Sequence, residues 1–215
     1  AEGVGRVAGT AGEGYPFICC LTHDIDFAGI RRHGFDRTVG GFIARGTVGS
    51  VRDVFTGRRT MAEAGRNMRS VASLPFVHCG ASQDPWRPFE AYRHRDAPRR
   101  ATYFVVPRRD HAGQSPDGKP RPTRAVRYEA ADVSRELVTC TEAGHEVALH
   151  GLDAWQGHAQ AMTERQRVES ASQSPVSGVR MHWLYFDAES PAHLDVAGFS
   201  YDSTCGYNET VGYRA

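Results

Sequence analysis

The clearest pattern along the chain is a set of short apolar segments, each ending in polar residues. The first follows Pro16, begins at Phe17 and predicts a buried strand over residues 15–23. Comparable segments predict four further strands, over residues 101–106, 146–150, 179–184 and 199–202. A sheet is therefore expected at the centre of the fold.

Several segments between these strands are predicted to be helices. Residues 132–143 place apolar side chains on one side and stop at Gly144, which predicts a helix. Two more helices are predicted over residues 162–172 and 190–197. Strands and helices in alternation predict an α/β fold with a parallel sheet, either open or closed into a barrel.

The length of 215 residues suits one large domain with a substantial core. We expect residues 1–14, which are small and polar, to form a flexible lead-in to a domain over residues 15–215. A long insertion of helical and irregular structure is expected at about 30–100. Within it, many Arg and Gly residues at 30–69 predict one or two short helices, and the prolines at 73–98 predict an irregular connection.

Composition and charge limit the partners and the compartment that the sequence predicts. Lys and Arg number 26 against 25 Asp and Glu, a net charge of +1, which predicts neither a nucleic-acid nor a membrane-surface partner. No apolar run approaches the roughly 20 residues that span a bilayer, and no signal-peptide core is visible. Five cysteines without a C-x-x-C pair favour a reducing compartment. We therefore expect a cytoplasmic protein, and the oligomeric state is not predicted.

Two carboxylates mark the end of the first strand. Asp24 and Asp26 are one residue apart, and a strand directs residues i and i+2 to the same face. Such a pair loses water and repels unless a cation or a proton lies between the two groups. The alternative is a turn in which one of them caps a following helix. The crowding of Thr22 and His23 beside them favours a functional site.

Later strands end in further residues that could bind a metal or a substrate. They are His150, Asp153 and Trp155 after the third strand, Arg180, His182 and Trp183 on the fourth, and Asp202 on the fifth. Because the carboxyl ends of parallel strands share one edge of a sheet, we expect these residues to meet the first carboxylate pair. Oxygen and nitrogen ligands without a thiolate suit a divalent metal, most readily zinc. The sequence thus predicts a metal-dependent hydrolase site.

Four segments resemble the polysaccharide deacetylases, carbohydrate esterase family four. They are Thr22–Asp26, Gly144–Gly151, Gly178–His182 and Gly198–Thr204. The first has the form Asp-x-Asp and is similar to one branch of that family. The resemblance extends from about Phe17 to Arg214, with the segments in the family's order.

This resemblance implies a distorted (β/α) barrel that hydrolyses N-acetyl or O-acetyl groups on a glycan with a metal. It implies that Asp24 is the catalytic base and Asp26 a metal ligand. His150 would be the first histidine of the family's His-x-x-x-His motif, and Arg180 would hold the base in its charged form. Residues 15–215 would then be a deacetylase-like catalytic domain whose barrel is incomplete at the C-terminus.

The sequence departs from the family's pattern at two points. The family places a second histidine four residues after His150, where this chain has Ala154. The third metal ligand would then be Asp153 or His182, or metal binding would be weakened or lost. The family's general-acid histidine lies on a late strand, and this chain ends at Ala215 before such a segment.

Three functional hypotheses follow from these patterns. The first is a metal-dependent deacetylase of a sugar or polysaccharide, with zinc as the expected metal. The second is an amidohydrolase of the same fold that acts on a small non-sugar amide. The third is an inactive glycan-binding module, for which Ala154 would mark the lost site. Trp155 and Trp183 are either core aromatics or a wall on which sugars stack.

Overall fold

The computed structural model describes residues 20–119 and 125–206. Its strands are β1 (Thr22–Ile25), β2 (Thr102–Val105), β3 (Glu146–Gly151), β4 (Gly178–Met181) and β5 (Tyr201–Asp202). They form one sheet in the order β1-β2-β3-β4-β5, and every neighbouring pair is parallel. The prediction of an α/β fold with a parallel sheet is therefore confirmed.

Eight α-helices lie in the described residues. Those between β1 and β2 are α1 (Arg37–Ala44), α2 (Ser50–Phe55), α3 (Met61–Ala72), α4 (Leu74–His78) and α5 (Pro88–Asp96). Those that follow β2 are α6 (Ser134–Glu142), α7 (His158–Ser172) and α8 (Ser190–Val196). Short 3-10 turns occur at Ile30–Arg32, Ala130–Val133 and Ala154–Gln156, and a π-helical turn, Arg45–Gly49, joins α1 to α2. None of the helices described is both long and apolar enough to cross a bilayer.

The first strand lies later in the chain than the prediction of 15–23. Residues 15–19 are outside the described residues, Cys20 and Leu21 are not in a strand, and β1 continues to Ile25. Its register with β2 pairs Thr22 with Thr102 and Ile25 with Val105. Asp24 therefore lies within the strand, and Asp26 is the first residue beyond it.

The other predicted strands are confirmed in position, but two of them are clearly shorter than predicted at one end. The strand predicted over 199–202 begins only at Tyr201. The prediction of a strand over 179–184 is wrong after Met181, where the chain turns instead. The Leu184 N–H donates to the Met181 carbonyl at 3.0 Å, and Leu184 has a φ of 56°. The His182 N–H donates to the Gly151 carbonyl at 2.8 Å, so His182 stays beside the end of β3.

An insertion with helices lies between β1 and β2 as expected, but its details differ from the prediction. Residues 73–98, expected to be irregular, contain α4 and α5, and 30–69 contains more helix than expected. The helices begin at recognisable caps. The Asp36 carboxylate accepts from the N–H groups of Thr38 and Val39 at the start of α1. Thr60 and Glu63 form a capping box at the start of α3, and proline stands in the first turn of α4 and α5.

The two faces of the sheet differ in chemistry. The side chains of one face join α6 and α7 in the main core; they include Tyr103, Val105, Val147, Leu149, Val179 and Met181 from the strands and Leu137, Ala161 and Val168 from the helices. The opposite face carries Asp24, Phe104 and Arg180, and the guanidinium of Arg180 lies over the ring of Phe104 at 4.3 Å. The period of two along each strand thus separates an apolar face from a polar one.

The sheet curls towards its polar face. Strands β1 and β4 are three strand spacings apart, which would be about 14 Å in a flat sheet. Nevertheless, Nη1 of Arg180 on β4 lies 2.7 Å from Oδ1 of Asp24 on β1. Within the described residues β1 and β5 do not pair, so these residues show a curved sheet and do not show a closed barrel.

Tyr128 supports the end of β1 from the core. Its buried hydroxyl donates to the Ile25 carbonyl and accepts from the Val106 N–H at 3.3 Å. The change Tyr128→Phe leaves both backbone groups without this partner, and a buried unsatisfied group costs about 1–3 kcal/mol. We expect the free energy of unfolding to fall by about that amount, as measured by urea denaturation.

Tyr103 provides the matched control for this measurement. Its hydroxyl is also buried, but it has no hydrogen-bond partner. Tyr103→Phe should therefore leave stability unchanged or raise it slightly. An equal loss in both variants would show that the hydroxyl of Tyr128 contributes no stabilising hydrogen bond.

Candidate metal centre

Three side chains converge at the carboxyl ends of the strands. Asp26 follows β1, His150 is the next-to-last residue of β3, and His182 follows β4. Each offers one ligand atom, and these atoms all lie within 4.8 Å of one another. The parallel sheet brings them together because its strands end along one edge. The expectation that Asp26 and His150 share a rim of the sheet is met.

The distances within this cluster are short. Oδ1 of Asp26 is 3.4 Å from Nε2 of His150 and 3.2 Å from Nδ1 of His182. The two imidazole rings are perpendicular, with centroids 4.8 Å apart. Two nitrogens and one carboxylate oxygen therefore face a common point. Such a donor set is typical of catalytic zinc sites.

His150 is oriented by the backbone of the neighbouring strand. Its buried ring places Nδ1 3.0 Å from the carbonyl oxygen of Arg180. A carbonyl only accepts, so Nδ1 carries the proton and donates. Nε2, which faces Asp26, is then the nitrogen with the free lone pair. Fixing the tautomer of a ligand histidine through its other nitrogen is a common arrangement in metal sites.

His182 tests whether the cluster fits a metal. Its side chain is buried, and neither ring nitrogen makes a hydrogen bond. Nδ1 lies near Asp26 without the alignment that a hydrogen bond needs. A buried polar group without a partner is costly, and a cation at this point would remove that cost by binding the nitrogen lone pair. The residues present therefore fit a divalent metal.

The electrostatics keep Asp26 anionic. Burial alone would raise the pKa of Asp26, but imidazoles of His150 and His182 that are protonated towards Asp26 outweigh it and, while no metal occupies their lone pairs, hold that pKa well below its usual range. The side chain of Asp26 nevertheless remains 48% exposed. The cluster thus combines an ionised carboxylate with access from solvent.

Asp24 lies beside the cluster and is held by Arg180. Besides its 2.7 Å contact with Asp24, the guanidinium reaches Oγ1 of Thr22 at 3.3 Å and Oγ of Ser203 at 3.1 Å. Sequence reasoning assigned no part to Ser203, and it mentioned Thr22 only as a neighbour. The period of two along β1, which places Thr22 on the face of Asp24, is the signal that could have shown the contact.

The prediction of Asp153 as a metal ligand is not supported by its position. Its carboxylate accepts from the imidazole of His111 at 2.5 Å, the Gln114 N–H at 2.7 Å and the Gln156 amide at 2.9 Å. These contacts direct it to the loop after β2, and it is not part of the cluster. Of the two residues predicted for the third position, the structure brings His182 to Asp26 and His150. His111 was given no role from the sequence.

The two tryptophans lie in different surroundings. Trp155 is 9% exposed, belongs to the main core and meets Tyr185 edge to face at 6.1 Å, so it does not form an open sugar-stacking wall. Trp183 is half-buried beside the cluster, with its ring centroid 4.4 Å from that of His182. Its Nε1 donates to the Ala112 carbonyl at 3.2 Å. Only Trp183 is placed at the rim.

Glu164 on α7 anchors the loop that follows His150. Its buried carboxylate accepts from the N–H groups of Leu152 and Asp153, each at 2.9 Å. Burial raises the pKa of Glu164 to about 7, against the opposing effect of these two hydrogen bonds. The folded chain therefore holds a proton on this carboxyl over a pH range in which the unfolded chain releases it.

Stability should consequently depend on the charge of Glu164. Between its ordinary pKa of 4.5 and the folded value of about 7, its contribution to stability declines as pH rises. The full loss above that range is about 3 kcal/mol. Glu164→Gln cannot ionise, so its free energy of unfolding should decline less between about pH 5 and about pH 8 than that of the parent. Parallel curves for the two proteins in urea titrations would contradict this.

Comparisons with known proteins identify a structure but no family. No protein-family model matches the chain, and no curated protein matches it. Among solved structures, the chain is similar to a crystal structure from Mycobacterium smegmatis described as a "putative polysaccharide deacetylase", with a TM-score of 0.41 and 16% identity. The match covers 87% of this chain and 50% of that one, so the chain spans half its length. At this level of similarity no site or activity is transferred.

Proposed function

We propose that this chain is a metal-dependent hydrolase that removes acetyl groups from a sugar or polysaccharide. The observation that carries the proposal is the cluster of Asp26, His150 and His182 beside an arginine-held carboxylate, Asp24. The geometry supports metal-dependent hydrolysis. The acetyl group, the glycan and the Asp-x-Asp branch come from the resemblance of the four sequence segments to polysaccharide deacetylases.

Asp26, His150 and His182 would hold the cation, and their nitrogen and oxygen donors favour zinc. Three protein ligands leave a position open, as catalytic zinc sites require. When bound, the metal would polarise the scissile carbonyl and acidify water. In this proposal His182 supplies the second imidazole, at the end of β4, for which the family uses the position of Ala154.

Asp24 would act as the general base. It would accept a proton from the attacking water, and this proton would pass to the leaving nitrogen or oxygen as the acetyl carbon–nitrogen or carbon–oxygen bond breaks, so that acetate and a free amine or hydroxyl are released. Arg180 fixes the direction of this carboxylate, and it is itself held by Thr22 and Ser203. Because Asp24 and Asp26 are two residues apart at the end of β1, both reach the same face of the sheet.

We propose further that the sheet is part of a distorted (β/α) barrel, with the insertion between β1 and β2 outside it. Parallel neighbours in chain order and a curled sheet, with Arg180 in contact with Asp24, support this architecture. An open doubly wound sheet would instead reverse its strand order at a switch point. In this proposal Trp183, whose ring meets that of His182, would be the aromatic side chain that contacts a sugar face.

Elemental analysis of the purified protein, with acetate release measured on a panel of acetylated glycans and small amides, tests the proposal. We expect near-stoichiometric zinc and acetate release from a glycan. Metal with turnover of small non-sugar amides alone would favour the amidohydrolase alternative. Glycan affinity with neither metal nor turnover would favour an inactive binding module.

A further inference from the structure

The insertion exposes an apolar stripe along one helical run. Helices α1 and α2 and the π-helical turn between them form continuous helix over residues 37–55. Val48, Val51 and Phe55 are spaced by three and four residues and therefore share a face. Val48 is 73% and Phe55 87% exposed. The π-helical turn adds a residue, which brings exposed Ile43 towards the same stripe.

The buried side of α2, the second half of this helical run, is polar where a folded helix is ordinarily apolar, whereas α1 packs Val39 into a small apolar cluster. Ser50 is fully buried, and its hydroxyl accepts from the side-chain amide of Asn67 on α3 at 2.9 Å. A helix on a protein surface normally packs its apolar stripe inwards. Here Ser50 faces the neighbouring helix, while Val51 and Phe55 face solvent. The apolar stripe therefore contributes little to folding the chain and is available for an external contact.

Exposed apolar side chains are concentrated in the same part of the protein. Eight of the eleven large ones in the described residues lie between α1 and α4 or just before them: Phe35, Ile43, Val48, Val51, Phe55, Met61, Met68 and Phe76. The other three are Met162, Val196 and Tyr201. Such clustering exceeds the scattered exposure expected of an ordinary surface.

The same segment is strongly basic. Residues 31–72 contain nine arginines and three acidic residues, a net charge of +6, so the rest of the chain carries −5 of the total of +1. All nine arginines are exposed. The acidic side chains are already engaged: Asp36 caps α1, Asp53 pairs with Arg59, and Glu63 caps α3. The near-neutral net charge of the whole chain therefore conceals a cationic surface.

We propose that this surface, formed by residues 31–76, docks on the anionic headgroups of a lipid bilayer. Arginines would meet the negative headgroups, and the side chains of Val48 and Phe55 would enter the boundary between headgroups and acyl chains. A nucleic acid would use the positive charge but would leave the apolar stripe in water. The combination of charge and apolar exposure thus selects an anionic membrane surface, and it does so independently of the proposed enzymatic activity.

Vesicle co-sedimentation of the full chain tests this. Vesicles of equimolar phosphatidylglycerol and phosphatidylcholine are compared with vesicles of phosphatidylcholine alone, at low and high salt. We expect binding to the anionic vesicles, weakened by salt. The pair Arg52→Gln and Arg58→Gln should lower the partition coefficient about 25-fold, at about fivefold for each charge. The pair Val48→Ser and Phe55→Ser should lower it by at least about tenfold.

Matched controls lie elsewhere on the surface. The exposed apolar pair Met162→Ser and Val196→Ser and the exposed basic pair Arg99→Gln and Arg100→Gln should bind within about twofold of the parent. Circular dichroism checks that every variant is folded, which is expected because the substituted side chains are exposed.

Three results would overturn the proposal. The first is equal sedimentation with anionic and neutral vesicles, or none with either. The second is unchanged vesicle binding by the Val48→Ser and Phe55→Ser pair. The third is a dimer, detected by light scattering, that this same pair abolishes, because a second copy of the chain would then cover the stripe.

Discussion

Replacing Asp24 by asparagine is expected to lower the rate of acetate release by about 10²–10⁴, the usual effect of removing a positioned general base. Asparagine has the shape of aspartate and can still accept a hydrogen bond from Arg180, but it cannot take a proton from water. Metal affinity should stay near that of the parent, because the Asp24 carboxylate is bound to Arg180 at 2.7 Å and is not one of the clustered ligands.

Asp26→Asn is the matched variant on the same strand end. It exchanges the one anionic donor of the cluster for a neutral amide and should lose the metal and the activity together. Metal content and acetate release are measured on both variants. If Asp24→Asn loses the metal and Asp26→Asn keeps it, the two roles are reversed. If both retain full activity, the end of β1 is not the site.

The second large effect is expected from His182→Ala, which should weaken zinc binding by more than about 100-fold. Residues that only orient a ligand typically contribute 10–100-fold to metal affinity, and a direct ligand should contribute more. His182 is one of three donors within 4.8 Å of one another, so its loss leaves one imidazole and one carboxylate. Zinc affinity is measured on the full chain by competition with a chelating dye.

The variant Asp153→Ala tests the other residue that the sequence predicted as the third metal ligand. The carboxylate of Asp153 is engaged by His111 and the loop around Gln114, so zinc affinity should change by less than about tenfold. If Asp153→Ala lost as much zinc affinity as His182→Ala, the assignment of His182 over Asp153 as the third ligand would be wrong. Parent-like affinity in His182→Ala would exclude the cluster as the metal site.

Local sequence patterns were enough to predict the sheet and two of the residues that meet at its edge. Buried strands such as Thr102–Val105 and Glu146–Gly151 leave a dense apolar signal because both sides of the strand are covered. Parallel strands end along one edge, so the sequence positions of Asp26 and His150 predicted that they share a rim.

The insertion was harder to predict for a physical reason. Helix periodicity is read from apolar residues that face a core, but α2 turns Val51 and Phe55 to solvent and buries Ser50. The helix caps of the insertion, Asp36 before α1 and Thr60 with Glu63 before α3, were present in the sequence. Without the expected apolar face, those caps were not enough to predict more than one or two short helices.

The sequence by itself determined the parallel α/β fold, the approximate positions of the strands and the residue types that can bind a metal. Only the tertiary structure decided which of them meet. Asp24 and Arg180 are 156 residues apart, and their contact depends on how far the sheet curls between β1 and β4. The turn after Met181 likewise brought His182, and not Asp153, to the cluster. Such contacts depend on the curvature and length of packed strands, which are set by the whole core and by no local stretch of sequence.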